Sequence, residues 1–170
     1  VGDKTGIEWA SATWNPIVGC SVVSPGCTNC YAMKMAARLE RMGAKSYGRK
    51  FDLTQDTKAG PVWTGKVRLA SDDAMTQPLR WSKPRAIFVN SMGDVFHEAV
   101  PDAWIDRVFA AMALAPQHTF VVLTKRAKRM REYITSRAAL DDLGQPAEDV
   151  RIAMTVLVGT PSRREMAPAL

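Results

Sequence analysis

Cysteine is missing from all but one short stretch of this 170-residue chain, where its three copies stand at positions 20, 27 and 30. An odd number argues against a disulfide framework, which needs pairs. It points instead to a reducing compartment, where clustered thiols serve metal binding or catalysis, so a cytoplasmic protein is expected. Histidine is scarcer still, with two copies, so His97, His118 or an acidic residue would have to complete any four-ligand site. No apolar run reaches the roughly 20 residues of a membrane-spanning helix, and no charged-then-apolar leader opens the chain. Internal repeats and low-complexity segments are also lacking. The first residue is Val1 rather than Met, which suggests a processed or trimmed start.

What is present reads as globular: 46% hydrophobic and 24% charged residues, enough to form one domain over residues 1–170 with its own core. The formal charge of +6 favours anionic partners such as nucleotides or nucleic acid.

Residues 1–19 read as a short extended segment ending in a turn at Asn15-Pro16 and Gly19. A helix is expected from about Cys30, with Tyr31, Met35, Leu39 and Met42 as its apolar stripe and Gly43 as its stop. Residues 44–65 are polar and read as a loop or insertion, with a turn at Gly60-Pro61. A short strand over 66–70 and a helix over 72–81 broken by Pro78 follow. The pattern then becomes regular: a strand at 86–89, and a helix opened by Pro101 and Asp102 with Ile105, Val108, Phe109 and Met112 on one face. Next come a strand at 119–123, a helix over 126–134 carrying Met130 and Ile134, and a strand at 151–158. Strand and helix in alternation predict an α/β fold of parallel βαβ units forming a partial (β/α) barrel, with its chemistry at the C-terminal strand ends.

Cys20-x6-Cys27-x2-Cys30 supplies three soft ligands. Structural zinc sites use four protein ligands, and iron–sulfur clusters also normally use four thiolates. Three thiolates leave one metal position open for a substrate or cofactor. Zinc stays open as the alternative metal, with His97 as the candidate fourth ligand; His118, before a strand on the opposite face, is expected to be structural. Trp9 and Trp14 are expected to shield the cysteine loop from water.

Two resemblances follow from these residues. The Cys27-Thr-Asn-Cys30 spacing and the Tyr31 that opens the following helix resemble the radical SAM enzymes, although the six-residue first gap departs from their usual three. That resemblance implies a [4Fe–4S] cluster, S-adenosylmethionine as cofactor, a 5′-deoxyadenosyl radical, an external electron donor and an adenine contact from Tyr31. More closely, Lys4-Thr-Gly-Ile-Glu-Trp9, Thr13-Trp-Asn-Pro16, Ser24-Pro-Gly-Cys27, Asn29-Cys-Tyr-Ala32, Ile87-Phe-Val-Asn-Ser-Met92, Phe96-His97 and Leu123-Thr-Lys-Arg126 resemble a phage-encoded three-cysteine family of unassigned function. Members of that family are regarded as relatives of radical SAM proteins, and the likeness covers roughly residues 4–134. It implies a host-cell cytoplasmic location if the chain is phage-encoded. Members continue for further strands beyond about residue 140, so a shortened version or part of a longer protein is expected, with the open sheet edge covered by a helix, a swapped element or a second copy.

Two strand-end groups complete the candidate site. Asn90, Ser91 and Asp94 follow the strand at 86–89 and are placed to bind ribose hydroxyls or a methionyl amine; as turn formers they equally suit a loop and a helix cap. Thr124 and Lys125 follow the strand at 119–123 as candidate cofactor contacts, and Lys125 and Arg126 suit a carboxylate or phosphate. Arg126, Lys128 and Arg129 are candidate substrate or nucleic-acid contacts, or else a solvated helix face. The leading expectation is a radical SAM-type enzyme acting on a nucleotide or nucleic acid. The alternatives are a zinc protein that binds nucleic acid or a host protein without catalysis, and an interaction module that has lost its cluster.

Overall fold

The computed structural model describes residues 5–44, 47 and 51–137. In chain order the elements are β1 (Ala12–Trp14), β2 (Ile17–Val18), a 3-10 turn over Pro25–Cys27, α1 (Tyr31–Arg41), β3 (Thr54–Thr57) and β4 (Gly60–Trp63). They continue as β5 (Arg68–Leu69), α2 (Asp72–Met75), a second 3-10 turn over Gln77–Arg80, β6 (Ala86–Val89), α3 (Asp102–Ala113), β7 (Thr119–Val122) and α4 (Ala127–Arg137). The strand expected at 151–158 lies outside the described residues.

A three-stranded parallel sheet in the order β1-β6-β7 organises the molecule. Ala12, Thr13 and Trp14 pair with Ile87, Phe88 and Val89, and β6 pairs in turn with Thr119–Val122. The fold is therefore mixed α/β with a small parallel sheet, coarser than the partial barrel expected. The extended segment before the cysteines proves to be a strand of this sheet, too short at three residues to announce itself by period.

Alternation along β1 and β6 buries Ala12, Trp14, Ile87 and Val89 against Ile105, Val108 and Ala111 of α3 and Tyr133 of α4. Ile17, Ile87 and Ile105 are completely buried, each contributing roughly 1.5–3 kcal/mol. On α4 the core contact is Tyr133, assisted by Met130, whereas Ile134 points outward. Tyr133 also donates to Asp106 at 2.8 Å, which satisfies a buried carboxylate on α3.

A second apolar cluster lies on the other side. Met33 and Ala36 of α1 pack with Val18, Leu53, Trp63 and Met92. Residues 54–63, expected as loop, form an antiparallel hairpin in which Thr54 faces Trp63 and Thr57 faces Gly60. Gln55, Asp56 and Thr57 are exposed, and only Leu53 and Trp63 are fully buried, with Val62 packing partly against the cluster, so the signal was too sparse to read. The turn falls at Lys58-Ala59, and Pro61 sits inside β4. The apolar stripe expected on α1 holds in part: Met35 and Leu39 pack partly buried on this cluster, but Tyr31 and Met42 are exposed, and the fully buried residues are Met33, Ala36, Ala37 and Glu40. Glu40 accepts from the Leu53 amide at 2.7 Å and from the Thr54 hydroxyl, tying α1 to the hairpin.

No helix of the described residues is long and apolar enough to cross a membrane.

Candidate functional site

The three parallel strands end on one side of the sheet, and the loops that leave them surround a cavity of about 230 Å³. Below the ~300–1,000 Å³ of a pocket enclosing a drug-sized ligand, it suits a compact group and part of a larger molecule. Its walls include Cys20, Cys27 and Cys30 from the loop between β2 and α1, Asn90, Ser91, Gly93 and Asp94 after β6, and Thr124, Lys125 and Arg126 after β7. Trp63 and Phe88 add apolar surface.

Local geometry explains the convergence. Gly19 adopts φ +96°, a region open to glycine, and a side chain there would meet the Lys66 carbonyl at 2.2 Å. This close approach carries the chain past β5 and presents Cys20. Gly19 and Gly93 also form an isolated parallel bridge, joining the cysteine loop to the loop after β6. Ser24-Pro25-Gly26 winds the 3-10 turn that ends at Cys27, and Cys30 stands at the N-cap of α1.

All three thiols are free of disulfides. Lys125 Nζ lies 3.2 Å from Cys27 Sγ, and the Ser24 hydroxyl 3.8 Å from it. Burial opposes the Cys27 thiolate, but the Val23 and Ser24 backbone, then Lys125 and the Ser24 hydroxyl, outweigh it and lower the thiol to about 7. Cys20 behaves oppositely: burial pushes its thiol up, against the pull of Arg126, whose Nη1 lies 3.6 Å from Sγ.

Arg126 is buried beneath the cavity. It donates to Asp94 at 3.0 Å, to both Glu98 oxygens at 3.1 Å and to Ser21 Oγ at 2.7 Å. Burial disfavours its charge, but Cys20, Asp94 and Glu98 together raise its pKa. Asp94 also accepts from the Phe96 and Lys125 amides and from the Thr124 hydroxyl. Its oxygens are thus engaged in tying the loop after β6 to the loop after β7. Ser91 donates to Asn15 Oδ1 at 3.1 Å, which also accepts from the Met92 amide. Asn90, in the left-handed region at φ 62°, accepts from the Ile17 amide through Oδ1 while its buried Nδ2 has no partner. That amide can only donate, so it suits an acceptor oxygen and not a protonated amine.

The chain belongs to the DUF5131 family. The model of that family, described as protein of unknown function, matches residues 4–167. No curated protein and no solved structure matches the chain.

Several expected site residues of this DUF5131 chain do not line the cavity. Tyr31 points into solvent beside the lining residues Cys30 and Ala32. Arg129 donates to the His97 and Val100 carbonyls and to Asp102, bracing α4 against the start of α3. Lys128 is exposed and faces Glu132 at 3.9 Å. His97 is buried, and both its ring nitrogens are engaged: Nδ1 accepts from the Ala99 amide and Nε2 lies 3.0 Å from Ser21 Oγ. With Nδ1 accepting, the neutral ring carries its proton on Nε2, so neither nitrogen is free for a metal. Burial, then Arg126, lowers the His97 pKa and holds that neutral form. His118 is buried with Nε2 3.0 Å from the Pro78 carbonyl. Trp14 lies in the main core, donating to the Ala74 carbonyl, and Trp9 packs at a tilt against Phe88 while half exposed; the indole on the cavity wall is that of Trp63. Sequence reasoning missed Trp63, Asn15, Ser21 and Glu98, of which Asn15 alone had a signal, in the Asn15-Pro16 turn.

Among the described residues, no group of three or more His, Cys, Asp and Glu side chains is already gathered around one point. The donor chemistry nonetheless fits an iron–sulfur cluster: three free thiols on one cavity and cations against two of them.

Proposed function

We propose that this chain is a radical SAM-type iron–sulfur enzyme that modifies a nucleotide or nucleic acid. The observation that carries the reading is the meeting of Cys20, Cys27 and Cys30 on one cavity at the C-terminal ends of parallel strands, where α/β folds carry ligands. The resemblance to phage-encoded three-cysteine proteins related to radical SAM enzymes supports it, and the basic charge suits the substrate.

In this reading Cys20, Cys27 and Cys30 hold a [4Fe–4S] cluster and leave one iron for S-adenosylmethionine. When bound, the cluster supplies the electron that splits the cofactor's sulfonium. The chain's own residues bind and orient. Lys125, beside Cys27, offers a charge to a carboxylate. Asn90 Nδ2 donates to a ligand oxygen. Trp63, Phe88 and Leu123 line the cavity and limit water at the reacting centre. Arg126, Asp94 and Thr124 hold the strand-end loops in register.

The test is turnover. Protein prepared without oxygen, loaded with iron and sulfide and reduced, is expected to convert S-adenosylmethionine into equal amounts of methionine and 5′-deoxyadenosine, and Cys27→Ala to abolish this. Failure of the loaded wild-type protein to cleave the cofactor would falsify the enzymatic reading. Cofactor binding that survives Cys27→Ala would move the cofactor away from this cavity.

A further inference from the structure

α1 has two faces of opposite character. Met33, Ala36, Ala37 and Glu40 are buried, while Tyr31, Lys34, Arg38 and Arg41 recur at i, i+3, i+7 and i+10 along the exposed side. Such spacing places them in one stripe. The stripe is wholly cationic apart from its aromatic head, because the helix's single acid, Glu40, is turned inward and hydrogen-bonded to Leu53 and Thr54. Arg41 meets exposed Asp56 at 3.7 Å, a screened surface pair. Lys34 and Arg38 form no ion pair among the described residues.

Tyr31 heads the stripe with 67% of its surface bare, the most exposed aromatic among the described residues. It directly follows Cys30, which lines the cavity. Half-exposed Val22 and Val23 of the cysteine loop and exposed Leu123 at the end of β7 add apolar surface to this region. A bare ring next to unpaired cations is the combination that holds single strands: a base stacks on the ring while phosphates follow the charges. Lys34 and Arg38 stand about 6 Å apart along the helix axis, a separation their long side chains adjust to successive phosphates.

We propose that this face binds single-stranded nucleic acid, with one base stacked on Tyr31 at the cavity's edge and the adjoining phosphates on Lys34 and Arg38. The inference deepens the proposed function by naming its substrate class, and rests on that reading for the strand's role as substrate; the binding itself rests on α1. It also moves the nucleic-acid footprint to α1 from α4 and the residue before it, where Arg129 and Arg126 are engaged within the fold. A duplex is disfavoured because its bases are already stacked. An acidic protein would satisfy the charges and leave the ring without a role.

The experiment is fluorescence anisotropy of a labelled mixed-sequence single-stranded oligonucleotide, titrated with the full metal-free chain over a range of salt. Single-strand binding loses about 0.7 in the slope of log affinity against log salt for each phosphate contact removed. The double variant K34A/R38A is therefore expected to flatten the slope by about 1.4. Tyr31→Ala is expected to weaken binding roughly 5- to 150-fold with the slope unchanged, and Tyr31→Phe to keep it. Lys83→Glu, exposed before β6 at the opposite end of the strands, is the charge control and should preserve most of the affinity. All these positions are exposed, and circular dichroism confirms that the variants fold. The inference is overturned if K34A/R38A binds no worse than Lys83→Glu, if duplex of the same length binds as tightly, or if polyglutamate competes equally and Tyr31→Ala has no effect. A chain that binds the strand but fails to cleave S-adenosylmethionine keeps this inference and loses the enzymatic one; the reverse result does the opposite.

Discussion

Cys27 and Cys20 share a loop yet have opposite acidities: at Cys27 the backbone donors, the Lys125 ammonium and the Ser24 hydroxyl outweigh burial, whereas at Cys20 burial outweighs the Arg126 guanidinium. In the metal-free chain, alkylation of Cys27 by iodoacetamide should rise with a midpoint near pH 7, while Cys20 should titrate above the ordinary value of 9.0. Lys125→Gln should move the Cys27 midpoint upward. The linkage has a definite sign: a thiol lowered on folding adds stability that is complete above its unfolded value and is lost as pH falls through the folded one. Ionisation of Cys27 thus stabilises the metal-free fold increasingly from about 7 to 9. Rate profiles resolved by mass spectrometry check this, and a single shared midpoint for the two cysteines would contradict it. At this scale the three thiols were legible from spacing alone. Asp94 was legible as a residue, but its role was not: nothing in a linear sequence shows that Phe96, Thr124, Lys125 and Arg126 will all donate to it.

At the scale of elements, unbroken or periodic apolar runs read truly and runs of mixed polarity did not. The strand at 86–89 and the helix from Asp102 follow from compact periodic signals, and their burial agrees. β1 was legible as extended chain but not as a member of the sheet, since its pairing comes from β6, distant in sequence, and the hairpin of β3 and β4 was read as loop because four-residue strands of mixed polarity carry too little period to detect. The stripe assigned to α1 was right at Met35 and Leu39 and wrong at its ends, Tyr31 and Met42, because the helix turns its alanines and Met33 most fully inward, where the hairpin comes close. The most sensitive joint between elements is Gly19. Gly19→Ala combines a left-handed φ with a side chain driven at the Lys66 carbonyl. It is expected to cost on the order of 2–3 kcal/mol, read as a lower urea midpoint. If unfolding is unchanged, the cysteine loop is not held in place by this contact.

Across the whole molecule, three chain segments far apart in sequence deliver their strand ends to one cavity, and everything chemically distinctive gathers there or on the adjoining face of α1. The alternation of strand and helix predicted parallel strands, and the described residues give three of them, with a cavity at their C-terminal ends, and not the fuller barrel expected. Membership in the DUF5131 family over residues 4–167 places the same cysteines inside a matched region without assigning them chemistry. The measurement that bears most directly on the account is the iron and acid-labile sulfide content of chain prepared without oxygen, with the electron paramagnetic resonance spectrum of its reduced form. About four irons and four sulfides per chain, with the signal of a reduced [4Fe–4S] cluster lost in Cys20→Ala, Cys27→Ala and Cys30→Ala alike, are expected. One zinc per chain with no iron, or iron that persists when these cysteines are replaced, would contradict it.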